Sequence, residues 1–386
     1  MASPDLADSL QALSLDPECL PFCPEDRPTE SKASLREKLE VPRYLFRVYT
    51  PNSAGVTDKL WTKSMDARYG HAGCKMDILK RTDDKQVAGM LNRHLRWMEG
   101  PSDNLVSWTS SILFALTYIF HLHANERDGS AFEDICLCIV DTSCFPKGVF
   151  LRDMDLIDAY RNFDQDLKDF ASLRSKKHSS FSGFYYFGEY LSQGALKIAN
   201  KCEIVAAQKM IAAGLYDLQP KFQEFARRTR GPRPPWANLV IELREGFYQK
   251  TTGGPERNGE ELKKAVAIAK LFGPHWSLPV AANLIAMLPH QVEERDILEA
   301  LKLLPLTGSC LLPILSVTFS WLTGADDERR DCFPSVTRLI ACDDLPEVKR
   351  FGDIMRSVYP KAVESNTSNG EKARSLQRNT DGVQNA

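Results

Sequence analysis

Three residues suited to one kind of chemistry lie far apart in the chain: Arg47, Ser107 and Glu189. Arg47 sits inside Tyr44-Leu-Phe-Arg-Val-Tyr49, a run dense in aromatic and β-branched residues that predicts a strand. A desolvated guanidinium is costly unless it meets an anion. An internal carboxylate would meet that need, and so would a phosphate, whose oxygens match the forked donors. Ser107 opens a cluster of hydroxyls, with Thr109, Ser110 and Ser111, where a short strand (Leu105, Val106) runs into an apolar helical pattern from Ile112. Hydroxyls at such a junction cap the helix or line a site with short neutral hydrogen-bonding groups. Glu189 stands between Gly188 and Gly194, behind Tyr185, Tyr186 and Phe187. A carboxylate beside an aromatic wall can stabilise a cationic, sugar-like transition state and hold a ribose hydroxyl. A solvated charge at a strand end is the plainer alternative. The three aromatics fill a core, or one of them stacks on a planar ring.

The elements that would position these groups follow from periodicity and turn chemistry. Val87, Met90, Leu91, His94, Leu95 and Met98 mark one face of a helix over Asp83–Met98, and Pro101-Ser-Asp-Asn turns the chain into Leu105–Ala115. A helix with Ile112, Ala115, Leu116, Ile119 and Phe120 on its apolar face comes next. Ile135-Cys-Leu-Cys-Ile-Val140 is apolar throughout, as in a strand covered on both sides. Residues 1–34 are rich in Pro, Ser, Asp and Glu and read as a mobile tail, with a short charged helix near Ser34 ended by Pro42. Beyond Pro220 strand signals vanish: Trp236–Tyr248, Glu260–Phe272, Leu278–Leu288, Ile297–Leu304, Arg338–Ile340 and Val348–Val358 all suggest helices. The chain therefore divides into a tail and short helix (1–41), a mixed domain (42–220), a helical region (221–361) that serves as a regulatory or partner-binding extension, and a polar tail (362–386).

Composition excludes several classes. With 386 residues, 43% hydrophobic and 26% charged, the chain is ordinary for a globular protein of one or two domains. A net charge of −2 gives no pull toward nucleic acid. Ten scattered cysteines, Cys136 and Cys138 among them, suit buried thiols better than zinc or a disulfide framework. The opening residues, with Asp5 and Asp8, do not read as a signal peptide, which points to an intracellular protein, cytoplasmic or nuclear. Leu303–Ala325 carries no charged side chain, but Pro305, Gly308 and Pro313 make broken buried helices the expectation rather than a membrane span.

The order and spacing of the motifs go further. Leu45-Phe46-Arg47, then Val106-Ser107-Trp108-Thr109 with Ala115 at a fixed distance, then Glu189-Tyr-Leu-Ser-Gln-Gly194-Ala-Leu resemble ADP-ribosyltransferases of the Arg-Ser-Glu type, the class of the cholera and heat-labile enterotoxin catalytic chains. They are also similar to a group of uncharacterised fungal proteins sharing the Leu-Phe-Arg-Val and Ser-Trp-Thr-Ser-Ser wording. The resemblance spans about Pro42 to Pro220. It implies an α+β fold, a split β-sandwich with flanking helices, followed here by an all-α C-terminal region.

It also implies NAD as substrate, with the pyrophosphate near Arg47 and hydroxyl contacts from Thr109 and Ser110. The nicotinamide would sit against one of the aromatics before Glu189, Tyr186 being the choice. Glu189 would favour the oxocarbenium-like state and Ser107 would orient it. Two departures stand out. Trp108 replaces a threonine, and Phe187 replaces the first Glu that belongs to arginine-modifying enzymes, which argues against an arginine acceptor. Three functions remain open on this reading: transfer to a protein or small-molecule acceptor, NAD hydrolysis, and a non-catalytic accessory role with a degenerate site.

Overall fold

The computed structural model describes residues 18–23, 35, 40–176, 185–228, 231, 236–248, 259–288, 294–302, 304 and 343–358. Strand β1 (Tyr44–Tyr49) leads into β2 (Val56–Thr57), β3 (Trp61–Lys63), helix α1 (Met65–Tyr69) and helix α2 (Asp84–Leu95). Strand β4 (Leu105–Thr109), α3 (Ile112–Ala124), β5 (Cys136–Asp141), β6 (Leu151–Arg152), α4 (Asp153–Tyr160) and α5 (Gln165–Arg174) follow. The last strands are β7 (Glu189–Gln193), β8 (Ala195–Lys197) and β9 (Cys202–Ala206). After them the described elements are helices: α6 (Ala207–Ala212), α7 (Leu215–Leu218), α8 (Pro220–Ala226), α9 (Trp236–Tyr248), α10 (Glu260–Lys270), α11 (Gly273–Ala286), α12 (Glu294–Leu301) and α13 (346–358).

The strands form two antiparallel sheets, a six-stranded one ordered β6-β7-β4-β1-β5-β9 and a three-stranded one ordered β2-β3-β8. Alternation along the strands of the large sheet decides what each face meets. Leu45, Trp108 and Tyr190 point to a core shared with Leu196 and Ile198 of the small-sheet side. Leu105 and Leu191 face helices α2, α4 and α5, whereas Phe46, Leu137 and Ile139 face α3 and the helices beyond it. Helix α3 is apolar nearly all round because it lies between the sheet and the C-terminal helices.

The sheet is parted where the motifs meet. Strands β1 and β4 share one register pair, Phe46 with Thr109, while β1 pairs with β5 along its whole length and β4 pairs with β7 from Leu105 to Thr109. Past that single pair β1 and β4 diverge, and a cavity of about 520 Å³ opens between Phe46–Val48 on one side and Leu105–Thr109 on the other. Three neighbouring strands thus carry Glu189 (β7), Ser107 (β4) and Arg47 (β1).

Two expectations need correction. The tail assigned to residues 1–34 is not wholly free of the fold. Leu20 bridges Gln193, the Phe22 amide donates to the Gly148 carbonyl at 2.8 Å, and Phe22 is buried. The apolar Leu20-Pro-Phe22 triplet, hidden in a polar composition, supplies that anchor. The border at residue 220 is one of composition rather than packing: Phe46, Phe120, Phe222, Val240, Ala269, Leu284 and Met355 belong to one continuous core. The readings for Arg338–Ile340, for 362–386 and for nearly all of Leu303–Ala325 lie outside the described residues. No helix among the described residues is long and apolar enough to cross a membrane.

Candidate active site

The register of β4 on β7 explains how the site forms. Ser107 lies opposite Leu191 and Thr109 opposite Glu189, so Ser107 and Glu189 are diagonal neighbours on one face, within reach of each other's side chains. Ser107 Oγ lies 3.2 Å from Glu189 Oε1. Trp108, one residue on, points to the opposite face, where its Nε1 donates to Ser192 Oγ at 2.9 Å and its ring meets Phe150 edge-on. It is 1% exposed and fills core, so the departure from the motif at this position does not block the cavity.

Arg47 reaches across the parting of the strands. Its Nε donates to Thr57 Oγ1 and its NH1 to the Ser107 carbonyl, each at 3.0 Å. Both acceptors are neutral, and among the described residues Arg47 makes no salt bridge. Burial pulls its pKa below the usual guanidinium value, the expected response of a desolvated cation without a carboxylate partner. Arg47 lines the cavity, which suits an anion.

A second group of residues, not singled out among the chemistry-bearing residues of the sequence, completes the site. His94, near the end of α2, places Nε2 2.8 Å from Ser107 Oγ and Nδ1 2.7 Å from Asp103 Oδ2. Burial works against charge on this imidazole, but Asp103 by attraction and hydrogen bond, with Glu189 adding to it, raises its pKa above the ordinary histidine value. Burial likewise opposes the charge of Asp103, yet His94 holds its pKa below the usual value. On the far side, Arg174 at the end of α5 pairs with Glu189 Oε2 at 2.5 Å and lies 3.6 Å from Asp153. Burial pushes Asp153 up to about 7, against the pull of Arg174.

The side chains form a row: Asp103, His94, Ser107, Glu189, Arg174, Asp153. Ser107 has one hydroxyl proton, and where it goes decides its role. Donated to Glu189, it requires His94 Nε2 to be the donor in the 2.8 Å contact, so the imidazole carries both protons and a positive charge. A serine nucleophile would need the opposite, a neutral His94 accepting from Ser107, with Glu189 Oε1 losing that donor. The raised His94 pKa and the adjacent carboxylate fit the first arrangement, in which Ser107 fixes Glu189 rather than attacking.

The other expected residues divide. Thr109 borders the cavity, but its hydroxyl donates to the Phe187 carbonyl (2.8 Å) and accepts from the Ser111 amide (3.0 Å). Ser110 and Tyr186 do not line the cavity and are corrected as its contacts: both hydroxyls donate to Asp343, at 2.5 and 2.6 Å. The reason is local. Gly188, at φ +70°, turns the chain just before β7, so Tyr186 lies outside that strand, and Ser110 lies past the end of β4. Ser111 is the helix cap, accepting from the Phe114 amide at 3.1 Å, worth about 1 kcal/mol. The aromatic wall comes instead from α3 and the end of α2. Phe114, Tyr118 and Trp97 line the cavity, the Trp97 and Tyr118 rings 4.8 Å apart. Trp97 is held at φ +54°, a strained backbone for a bulky residue. Phe187, two residues before Glu189, is buried against Phe114 and Trp236.

Among the described residues no cluster of three or more His, Cys, Asp or Glu could hold a metal. What fold and site define together is a mixed α/β protein with antiparallel sheets, a parted central sheet and a connected row of polar and titratable side chains beside the parting. Residues 40–194 match a family described as a domain of unknown function (DUF7587), a stretch that takes in Arg47, His94, Asp103, Ser107, Arg174 and Glu189. No curated protein and no solved structure matches the chain.

Proposed function

We propose that the chain binds NAD in the β1–β4 cavity and cleaves its nicotinamide–ribose bond, as an ADP-ribosyltransferase-like enzyme or a NAD glycohydrolase. The observation that carries this is the meeting of Arg47, Ser107 and Glu189 at one cavity from three neighbouring strands. Arg47, without an anionic partner among the described residues, takes the pyrophosphate. Glu189 holds the ribose hydroxyl and favours the oxocarbenium-like state as nicotinamide leaves. Ser107 fixes Oε1, while His94 and Asp103 fix Ser107. The planar nicotinamide enters beside Phe114, Tyr118 and Trp97. With Phe187 committed to the core, no second carboxylate stands two residues before Glu189, which disfavours an arginine acceptor and leaves water or another nucleophile.

A second reading follows from Arg174. Both oxygens of Glu189 are engaged and the residue is only 3% exposed, which suits a site that binds a nucleotide without turning it over. Nicotinamide release from NAD, measured with and without protein acceptors and beside Glu189→Gln, separates the two. The enzyme reading expects release that Glu189→Gln abolishes. Saturable NAD binding without release supports the second reading, and release that survives Glu189→Gln removes Glu189 from the mechanism.

A further inference from the structure

The stretch that presents Glu189 is gripped from outside the sheet, by residues far beyond the DUF7587-matched segment. Tyr186 Oη donates to Asp343 Oδ1 at 2.6 Å, and Tyr190 Oη to Asp343 Oδ2 at 3.1 Å. Ser110 Oγ, just past the end of the Ser107 strand, donates to the same Oδ2 at 2.5 Å. One turn further, Glu347 accepts from Ser111 Oγ at 2.6 Å and pairs with Arg244 at 2.7 Å, and Arg244 NH1 donates to the Tyr186 carbonyl at 2.7 Å. Asp343, Glu347 and Arg244 are all buried. Leu345, between the two acids, closes on Gly188: a Cβ there would fall 3.0 Å from Leu345 Cδ1 and 2.2 Å from Ser110 Oγ.

Apolar side chains alone could seat a helix without the desolvation cost of two carboxylates. Fully bonded buried acids do something apolar packing does poorly, which is to specify one geometry. Here the geometry specified is that of Tyr186–Tyr190 against Ser110 and Ser111, the two chain segments that set the distance from Ser107 Oγ to Glu189 Oε1.

We propose that the segment 343–358 is a positioning clamp for the candidate site, with Asp343, and Glu347 through Arg244, holding the Glu189 approach in register with the Ser107 strand. The clamp gives the helical region a task within the same molecule. The proposal rests on the reading of Glu189 as the group that serves NAD cleavage, and Asp343 acts through Tyr186 and Ser110 without touching substrate.

The test uses the full chain and two readouts. Asp343→Ala removes all three acceptor contacts, Tyr186→Phe removes one and keeps the ring, and Asp343→Asn keeps volume and an acceptor as the rescue. Asp353→Ala, an exposed position on the same helix, is the control. Hydrogen exchange over residues 185–193 reads the clamp without any need for activity, and nicotinamide release from NAD reads its consequence. Asp343→Ala is expected to speed exchange there about tenfold or more and to lower kcat about 10- to 100-fold with KM within threefold, on the scale that small misplacements of reacting groups cost. Tyr186→Phe should fall between Asp343→Ala and the wild type, Asp343→Asn should recover most of kcat, and Asp353→Ala should change neither readout. Should Asp343→Ala not fold, Tyr186→Phe carries the same comparison. Unchanged exchange overturns the clamp whether or not the chain cleaves NAD. Faster exchange with wild-type kcat overturns its positioning role. If the wild type releases no nicotinamide, the proposed reaction falls, and exchange alone decides the clamp.

Discussion

Replacing Glu189 with glutamine takes one charge from the middle of a buried row, and its cost can be worked from what remains. Arg174, with a side chain 5% exposed, loses its carboxylate at 2.5 Å and keeps one acid, Asp153 at 3.6 Å, beside the Phe170 and Phe187 rings. Removing one member of a buried pair costs about 3–5 kcal/mol, because the other charge is left desolvated. Asp153 still faces Arg174, which places the expected loss near the lower end, about 3 kcal/mol. For a large single-core chain each kcal/mol moves Tm by about 2–4 °C, so Glu189→Gln should melt about 6–12 °C below the wild type. The same change removes the negative neighbour that helps raise both His94 and Asp153, so both pKa values should fall. Calorimetry at pH 7, with His94 followed by NMR, reads both effects. A Tm within about 2 °C of the wild type, with His94 titrating unchanged, would refute the row of coupled charges.

Further expectations concern pH, packing and the backbone. Burial pushes Asp153 up to about 7 from 3.8, so the folded state holds its proton more tightly than the unfolded one. That stabilisation is full at low pH and is lost as pH rises from about 4 through 7. His94, also raised, adds a loss that begins above its ordinary 6.5 and that His94→Gln should remove, as denaturant titrations across pH 6–9 would reveal. Trp108→Thr restores the hydroxyl of the related motif but empties a core position, so it should cost about 3–5 kcal/mol while the folded fraction keeps its NAD affinity. Lost affinity in fully folded protein would show that the Trp108 ring, and not only its place on the strand that borders the cavity, shapes the site. Gly188→Ala must adopt φ +70° and meet Ser110 Oγ, so a loss of at least about 1–2 kcal/mol is expected from the backbone alone. An unchanged melting curve would show that Gly188 is not held in that conformation.

What was legible in the sequence was the order of strands and motifs. The aromatic β-branched run around Arg47 falls on the strand expected, because strand propensity is a local signal. The short strand expected at Leu105 and Val106 runs on through Ser107 to Thr109, whereas the strand that Glu189 opens was not expected. His94 was legible only as part of a helical stripe, and the polar member of an apolar stripe was the available hint that it had a buried partner. Arg174 and Asp343 gave no local signal, since their partners lie 15 and more than 150 residues away. Tyr186 was placed at the site by the resemblance, and the sequence near it carries no sign of Asp343, the distant partner that takes its hydroxyl. The helical half looked separate because composition changes at Pro220, but burial of α3 requires those helices against the sheet.

The most direct test of the site is a crystal structure of the Glu189→Gln variant with NAD bound. The pyrophosphate should lie on Arg47, the nicotinamide beside Phe114 and Tyr118, and the nicotinamide ribose within hydrogen-bond distance of residue 189. NAD seated elsewhere, or a cavity that stays empty at saturating NAD while Arg47 keeps only Thr57 and the Ser107 carbonyl, would contradict the assignment.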